Sequence, residues 1–228
     1  MKQTPGRIYL ADQRGRHQTS DVQRLSTLSF GDYADANKGP LGRLLAFNEE
    51  SLAGGASTEL PVAQGCYVLL LPITGSVGFS LDGAAGGTVE VEEIQTLALV
   101  AGSVLHFTNP YEHETITFLH IWLRADLSAS EVPPVFGFEW EMFASQLLEV
   151  ISDERVFSLS IGRFRGREEA FYQLDGSAHL FAFVLAGAFE IEGRLLHERD
   201  GLGLWEAEEV ELEALSNNAI VLVLEVRY

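Results

Sequence analysis

The sequence predicts an all-β protein of two tandem β-barrels with little helix, and three observations support this. Short apolar runs rich in Val, Leu, Ile, Phe and Tyr recur along the chain, with Gly, Asp and Asn between them. One β-unit occurs twice, and a stretch rich in Pro and Ser separates the copies. Recurring strands with turn residues between them are typical of barrels, and the repeat indicates two of them.

The candidate strands fall into two series, and each has the length and composition of a strand. They are residues 42–47, 66–72, 76–81, 96–100, 103–108 and 116–123, then 157–163, 168–174, 180–185, 188–191, 203–206, 210–214 and 219–226. A helix has support only in residues 139–152, where apolar side chains recur at helical spacing. The end of that segment equally suits the opening strand of the second half.

The repeat is clearest in residues 71–83 (LPITGSVGFSLDG) and 183–193 (FVLAGAFEIEG). Both have an apolar strand, a Gly, an apolar alternation and a second Gly. Gly75 and Gly187 therefore occupy equivalent turns, where glycine permits a positive φ. Closing such hairpins into a barrel removes exposed sheet edges.

The domain boundary is expected in residues 127–137 (LSASEVPPVFG), which have the densest Pro and Ser content of the chain. We therefore predict an N-terminal domain of residues 1–126, a linker of residues 127–137 and a C-terminal domain of residues 138–228.

Charge restricts the possible partners. The chain of 228 residues has 33 acidic and 15 basic side chains, a formal charge of −18. This charge repels nucleic acid and anionic membranes, so we expect neither as a partner. The first residues lack the apolar stretch of a signal peptide, so a cytoplasmic protein is expected. We expect it to be a monomer or a homodimer. The single cysteine, Cys66, stands in an apolar run and is expected to be a buried, inert thiol.

Several segments resemble the pirin family of the cupin superfamily. Residues 27–55 are similar to that family's opening segment, and residues 100–109 (VAGSVLHFTN) and 118–126 (FLHIWLRAD) continue the likeness. Residues 193–226 look like the second cupin domain of bacterial pirin relatives. The resemblance implies a bicupin, with two double-stranded β-helix, or jelly-roll, barrels.

The resemblance also implies an iron or similar metal in the N-terminal barrel. In the family its ligands are two His of an HPH-type segment, a later His, and a Glu two positions beyond that His. Counted from Gly75, the HPH segment falls on residues 61–63, which are Pro61, Val62 and Ala63. His106 matches the later His, and Thr108 takes the Glu position. A single imidazole does not hold a divalent metal, so we expect no metal cofactor and a lost catalytic site.

A retained iron or other divalent transition metal would need different donors. Two His and one carboxylate suffice for such a metal. The candidates are His106 with His120 or His113, and Glu59, Glu112 or Glu114. Such a set would make the protein a metal-dependent dioxygenase of the quercetin-cleaving type.

The preferred hypothesis is a non-enzymatic, pirin-like bicupin that binds a small ligand or acts as a regulator. Barrel cavities are the usual small-molecule sites, and strand alternation assigns five lining residues to the N-terminal barrel: Tyr67, Leu69, His106, Thr108 and His120. A third hypothesis is a structural or protein-interaction module that pairs through an exposed strand or through the aromatic residues 135–143.

Overall fold

The computed structural model describes residues 4–174 and 178–228, and the regular secondary structure of this part of the chain is nearly all β-strand, as predicted. The first ten strands are β1 (Gly6–Tyr9), β2 (Gly15–Gln18), β3 (Val22–Ser26), β4 (Leu44–Leu52), β5 (Ser57–Pro61), β6 (Cys66–Thr74), β7 (Val77–Leu81), β8 (Ala84–Val89), β9 (Glu93–Leu99) and β10 (Val104–Thr108). The others are β11 (Ile116–Arg124), β12 (Phe136–Gly137), β13 (Leu147–Asp153), β14 (Phe157–Phe164), β15 (Glu169–Gln173), β16 (His179–Ala186), β17 (Phe189–Ile191), β18 (Arg194–Leu196), β19 (Gly201–Leu204), β20 (Glu209–Ala214) and β21 (Ala219–Val226).

Helix is confined, within the described residues, to two 3₁₀ turns, Ala11–Gln13 and Trp140–Phe143. The segment 139–152, for which helix and strand were both open, therefore has one short turn followed by β13. None of the described helices is long and apolar enough to span a membrane.

The chain divides into two compact units. The C-terminal unit contains the described residues of Met1–Arg14, with Leu41–Arg43 and Glu139–Tyr228, and the N-terminal unit contains Gly15–Pro40 and Leu44–Phe138. The division differs from the sequence-based boundaries at Leu41–Arg43, in residues 127–138, which fall in the N-terminal unit, and at the start of the chain. There β1 pairs antiparallel with β19, Gly6 opposite Leu204, a pairing between distant segments that no local pattern indicates.

Two antiparallel sheets form the N-terminal unit. One has seven strands in the order β12-β9-β6-β11-β4-β3-β2, and the other has four in the order β5-β10-β7-β8. Side chains alternate between the faces of a strand, so Val68 and Leu70 of β6 join the barrel core. Tyr67 and Leu69 consequently point to the opposite face of the seven-stranded sheet.

The C-terminal unit repeats this architecture with sheets β1-β19-β16-β21-β14-β13 and β15-β20-β17-β18. Its core lies between the sheets and includes Phe164, Phe189 and Val223. The turns of the repeat are equivalent, since Gly75 and Gly187 have φ of 69° and 78°. The fold is thus two successive jelly-roll barrels, as predicted.

Candidate functional site

A cavity of about 760 Å³ lies within the N-terminal unit. This volume is in the range of small-molecule sites. Its aromatic lining residues are Phe30, Tyr33 and Trp122, and its buried polar lining includes Arg24 and Ser26. The cavity therefore combines flat apolar surfaces with hydrogen-bonding groups.

The aromatic wall is built by a tight turn after β3. Phe30 and Tyr33 exchange backbone hydrogen bonds of 3.0 and 3.1 Å, and Gly31 between them has a φ of 57°, which glycine adopts without strain. The ring of Phe30 packs against Trp122 at 5.5 Å between centroids, and the guanidinium of Arg24 lies 5.3 Å from the Phe30 centroid. The turn thus fixes an aromatic surface beside the cation.

Behind this wall is a buried polar network on the inner face of the seven-stranded sheet. Arg24 on β3 donates from Nε and Nη2 to the carboxylate of Glu50 on β4, at 2.5 and 3.0 Å. The Nε2 of His120 on β11 lies 3.1 Å from Glu50 Oε2. Trp122 Nε1 donates to His120 Nδ1 at 2.7 Å. Glu50 and His120 are completely buried, and Arg24 is 8% exposed.

The network has one consistent protonation state. An indole N–H can only donate a hydrogen bond, so Nδ1 of His120 is the acceptor. In the neutral ring the proton is then on Nε2, which donates a hydrogen bond to the carboxylate of Glu50. Burial lowers the pKa of His120, and its hydrogen bond with Glu50 offsets only part of this effect. Burial alone would raise the pKa of Glu50, but hydrogen bonds from His120 and Arg24, with the charge of Arg24, hold it below its usual value. Glu50 is therefore a carboxylate paired with Arg24, beside a neutral imidazole.

Both ring nitrogens of His120 are consequently engaged. A metal ligand needs a free imidazole lone pair. In this arrangement His120 can serve as a ligand only if the bond from Trp122 or the bond to Glu50 breaks.

The inner surface of the four-stranded sheet is hydrocarbon where the family resemblance implies ligands. Two pairs of residues face the barrel core, one pair at the end of β5 and one pair on β10. The two residues of each pair are two positions apart, which is the spacing of the ligand pairs that the resemblance implies. We call them the inward quartet: Leu60, Val62, Leu105 and Phe107. Leu60 and Leu105 are directly opposite each other on the two strands, and Pro61 stands between the first pair as in an HPH segment.

The positions aligned from sequence lie on the other side of these strands. Pro61, Ala63 and Thr108 are exposed and His106 is half-buried. A metal inside this barrel would need ligands at inward-facing positions, and alternation puts these one residue away from the aligned ones, at the inward quartet. The residues present do not fit a metal held there, because hydrocarbon side chains offer no donor atoms. No three His, Cys, Asp or Glu side chains of the described residues are grouped so as to hold an ion.

Two of the alternative donors form a pair on the outer face of the four-stranded sheet. His106 and Glu59 are opposite each other on β10 and β5, with 3.3 Å between Nδ1 and Oε1. His113 and Glu112 form a second, exposed pair with 3.9 Å between Nε2 and Oε2. Glu114 is exposed. The structure does not bring His120 together with either pair.

Of the five residues expected to line a cavity, none lines the one described here. His120 faces the barrel interior behind the wall, whereas Tyr67 and Leu69 lie on the far face of their sheet and His106 and Thr108 on the outer face of theirs. Several residues that line it, such as Arg24, Ser26 and Phe30, come from β3 and the following turn. Of the candidate metal ligands, Glu59 on β5 lines it. Residues 27–55 had drawn attention only as a family-like segment, and their contribution to a cavity wall was missed.

Cys66 also borders the cavity. Burial raises the pKa of its thiol to about 12, so the thiol stays protonated at neutral pH, consistent with the expected inert role.

Comparisons with known proteins agree with this architecture. Residues 151–226 match the family model described as "Quercetinase C-terminal cupin domain". The "Putative quercetin 2,3-dioxygenase PA1210" of Pseudomonas aeruginosa is 21% identical over 212 residues, covering 86% of this chain and 88% of that protein.

Two solved structures illustrate the similarity of fold. The bacterial pirin YhhW from Escherichia coli, in complex with nickel(II), superposes with a TM-score of 0.85 at 17% identity, covering 98% of this chain and 99% of that one. A quercetin 2,3-dioxygenase from Acinetobacter baumannii superposes with a TM-score of 0.71 at 14% identity, covering 100% of this chain and 87% of that one.

Two successive jelly-roll barrels, each of two antiparallel sheets, define the protein as a bicupin. Its second barrel matches the quercetinase C-terminal cupin domain, and along its whole length the chain is similar to pirin-like proteins of the cupin family.

Proposed function

We propose that this protein is a metal-independent bicupin that binds a small, planar, uncharged ligand in the cavity of its N-terminal barrel. The observation that carries the proposal is the inward quartet, which presents only hydrocarbon where the pirin resemblance implies metal ligands. His120, which faces the barrel interior from the seven-stranded sheet, has both ring nitrogens engaged.

The walls of the cavity support the ligand class. Phe30, Tyr33 and Trp122 offer flat surfaces on which an aromatic ring packs. The charged lining residues are Arg16 and Arg24 against Asp32 and Glu59, and the buried Arg24 is also paired with Glu50. The cations and carboxylates of the wall balance, so the wall does not favour a charged ligand. The cytoplasmic location and the oligomeric state, a monomer or a homodimer, stay predictions.

Calorimetric titration with 2-naphthol and quinolin-2(1H)-one tests the proposal, because both compounds are planar and uncharged. We expect saturable binding of at least one, unchanged after dialysis against a chelator. Leu45→Trp, which fills the cavity, is expected to abolish binding. The control Leu195→Trp changes a residue that is 53% exposed in the other unit and is expected to bind normally. Binding that vanishes with the chelator, or that survives Leu45→Trp, would overturn the proposal.

A second candidate is a dioxygenase of the quercetin-cleaving type. It is supported by the similarity to two proteins that are named quercetin 2,3-dioxygenases, one of them putative, and by the His106–Glu59 pair. Oxygen consumption with quercetin, after loading with Fe(II), Ni(II) or Mn(II), tests it. Metal-dependent turnover that is lost in His106→Ala would favour this candidate over the first. No turnover with any of the three metals would count against it.

A further inference from the structure

A buried amide in the N-terminal barrel has no hydrogen-bonding partner. Asn48 is completely buried, and neither its Nδ2 nor its Oδ1 has a partner among the described residues. Buried polar groups are nearly always satisfied, and each exception calls for an explanation such as a water or a ligand.

Asn48 stands on the inner face of β4, next to the polar wall of the cavity. Its cross-strand neighbours are Ser26 on β3 and His120 on β11. Ser26 lines the cavity, whereas the ring of His120 is already engaged with Glu50 and Trp122. The unmatched amide is therefore one strand away from the cavity surface, on the same side of the sheet.

The chemistry of the amide restricts what can satisfy it. An Asn side chain presents a donor and an acceptor side by side, so one ligand satisfies both only if it presents an acceptor beside a donor. A carboxylate lacks the donor. A cyclic amide, or lactam, has its carbonyl oxygen and its N–H on one edge, and its planar ring suits the aromatic wall of Phe30 and Trp122.

We propose that Asn48 is the hydrogen-bonding anchor for a planar cyclic amide that enters the cavity of the N-terminal barrel. This inference rests on the proposed ligand-binding function and names the class of ligand. Because Asn48 is fully covered, the ligand edge reaches it when a lining side chain moves. Ser26 is the side chain in register to do so, since it lines the cavity and lies directly opposite Asn48, and its movement leaves the aromatic wall of Phe30 and Trp122 in place.

Titration with quinolin-2(1H)-one and its N-methyl derivative tests the proposal, because methylation removes the N–H and keeps the ring. We expect the wild-type protein to bind the parent compound at least about tenfold more tightly, the equivalent of one lost buried hydrogen bond. Binding is expected to change the fluorescence of Trp122. Asn48→Leu, similar in size, is expected to bind both compounds equally, and without ligand to melt roughly 4 °C higher because an unpaired group is gone.

Thr27→Val is the matched control. The Thr27 hydroxyl is also buried without a partner among the described residues, but Thr27 does not line the cavity. The control is expected to gain stability and to keep the preference for the parent compound.

The outcomes separate the two proposals. Saturable binding of both compounds with equal affinity to the wild-type protein would overturn the cyclic-amide inference and leave the ligand cavity standing. The same holds if Asn48→Leu raises the melting temperature but keeps the preference, since Asn48 would then hold a trapped water only. Binding of neither compound would count against both proposals. The wild-type comparison needs no variant, so a folding defect in Asn48→Leu does not prevent the test.

Discussion

The buried pair of Arg24 and Glu50 should be strongly coupled. Removing one partner of a buried ion pair typically costs 3–5 kcal/mol, because an uncompensated charge stays behind. Among the described residues, Arg24→Met leaves the fully buried Glu50 with the hydrogen bond from His120 alone, so we expect a loss of about 4 kcal/mol at pH 7. Glu50→Met leaves the Arg24 guanidinium, which lines the cavity and can turn towards it, and about 3 kcal/mol is expected.

The double variant Arg24→Met/Glu50→Met should cost much less than the sum of the two changes. Apolar replacement of a whole buried pair is often nearly neutral, and the chief remaining penalty is the unpaired Nε2–H of His120, about 2 kcal/mol. The coupling energy is then roughly 5 kcal/mol, from about 4 plus about 3 minus about 2.

Urea unfolding at pH 7 measures this cycle. Of the three tryptophans, Trp140 and Trp205 belong to the C-terminal unit, so replacing both with Phe leaves Trp122 as the reporter. A control cycle on Arg163 and Glu141 of the C-terminal unit, whose atoms are 3.9 Å apart at the surface, is read from Trp205 after Trp122 and Trp140 are replaced with Phe, and it should give a coupling below about 1 kcal/mol. Additive effects at Arg24 and Glu50, within about 0.5 kcal/mol, would refute the reasoning.

Three further outcomes are expected. Because burial lowers the pKa of His120, the unfolded chain takes up a proton that the native state does not, so stability should fall as pH drops below about 6.5, by up to about 1.4 kcal/mol per pH unit. Urea unfolding between pH 7 and 5 should show this slope reduced in His120→Gln, and an unchanged slope would contradict the assignment. The Cys66 thiol, with its pKa raised to about 12, should resist Ellman's reagent at pH 8 until the protein is unfolded, whereas rapid labelling of the native protein would contradict its burial. Placing three His and one Glu at the inward quartet should create a site that takes up Ni(II) and folds with it, as followed by calorimetry and circular dichroism. The control places the same residue types one position along each strand, and uptake by the control alone would show that the inward assignment is wrong. The variants are Leu60→His, Val62→His, Leu105→His and Phe107→Glu, and the control changes are Pro61→His, Ala63→His and Thr108→Glu, with His106 kept.

The all-β fold follows from the sequence because its signals are local. The alternation of apolar residues and the turn glycines at Gly75 and Gly187 mark strands and hairpins without reference to the rest of the chain. The partner of β1 was not predictable in this way, since Gly6 and Leu204 are far apart in the chain and meet only in the folded unit.

The site was harder to predict because the face of the sheet to which a side chain points depends on the register of its strand. A shift of one residue moves every side chain of a strand to the other face. The match of His106 to a family ligand therefore put it inside the barrel, whereas Leu105 and Phe107 face inward. The buried partner of His120 was equally out of reach. Glu50 is 70 residues away from it in sequence, and nothing local distinguishes it from the exposed glutamates.

The most direct test of the account combines metal analysis with ligand titration on one sample. Protein purified without a chelating tag is analysed for iron, nickel, manganese and zinc, and is then titrated with quinolin-2(1H)-one before and after chelator treatment. The expected result is far less than one equivalent of metal and the same affinity in both titrations. One equivalent of a transition metal, retained through purification and required for binding, would contradict a metal-independent cavity.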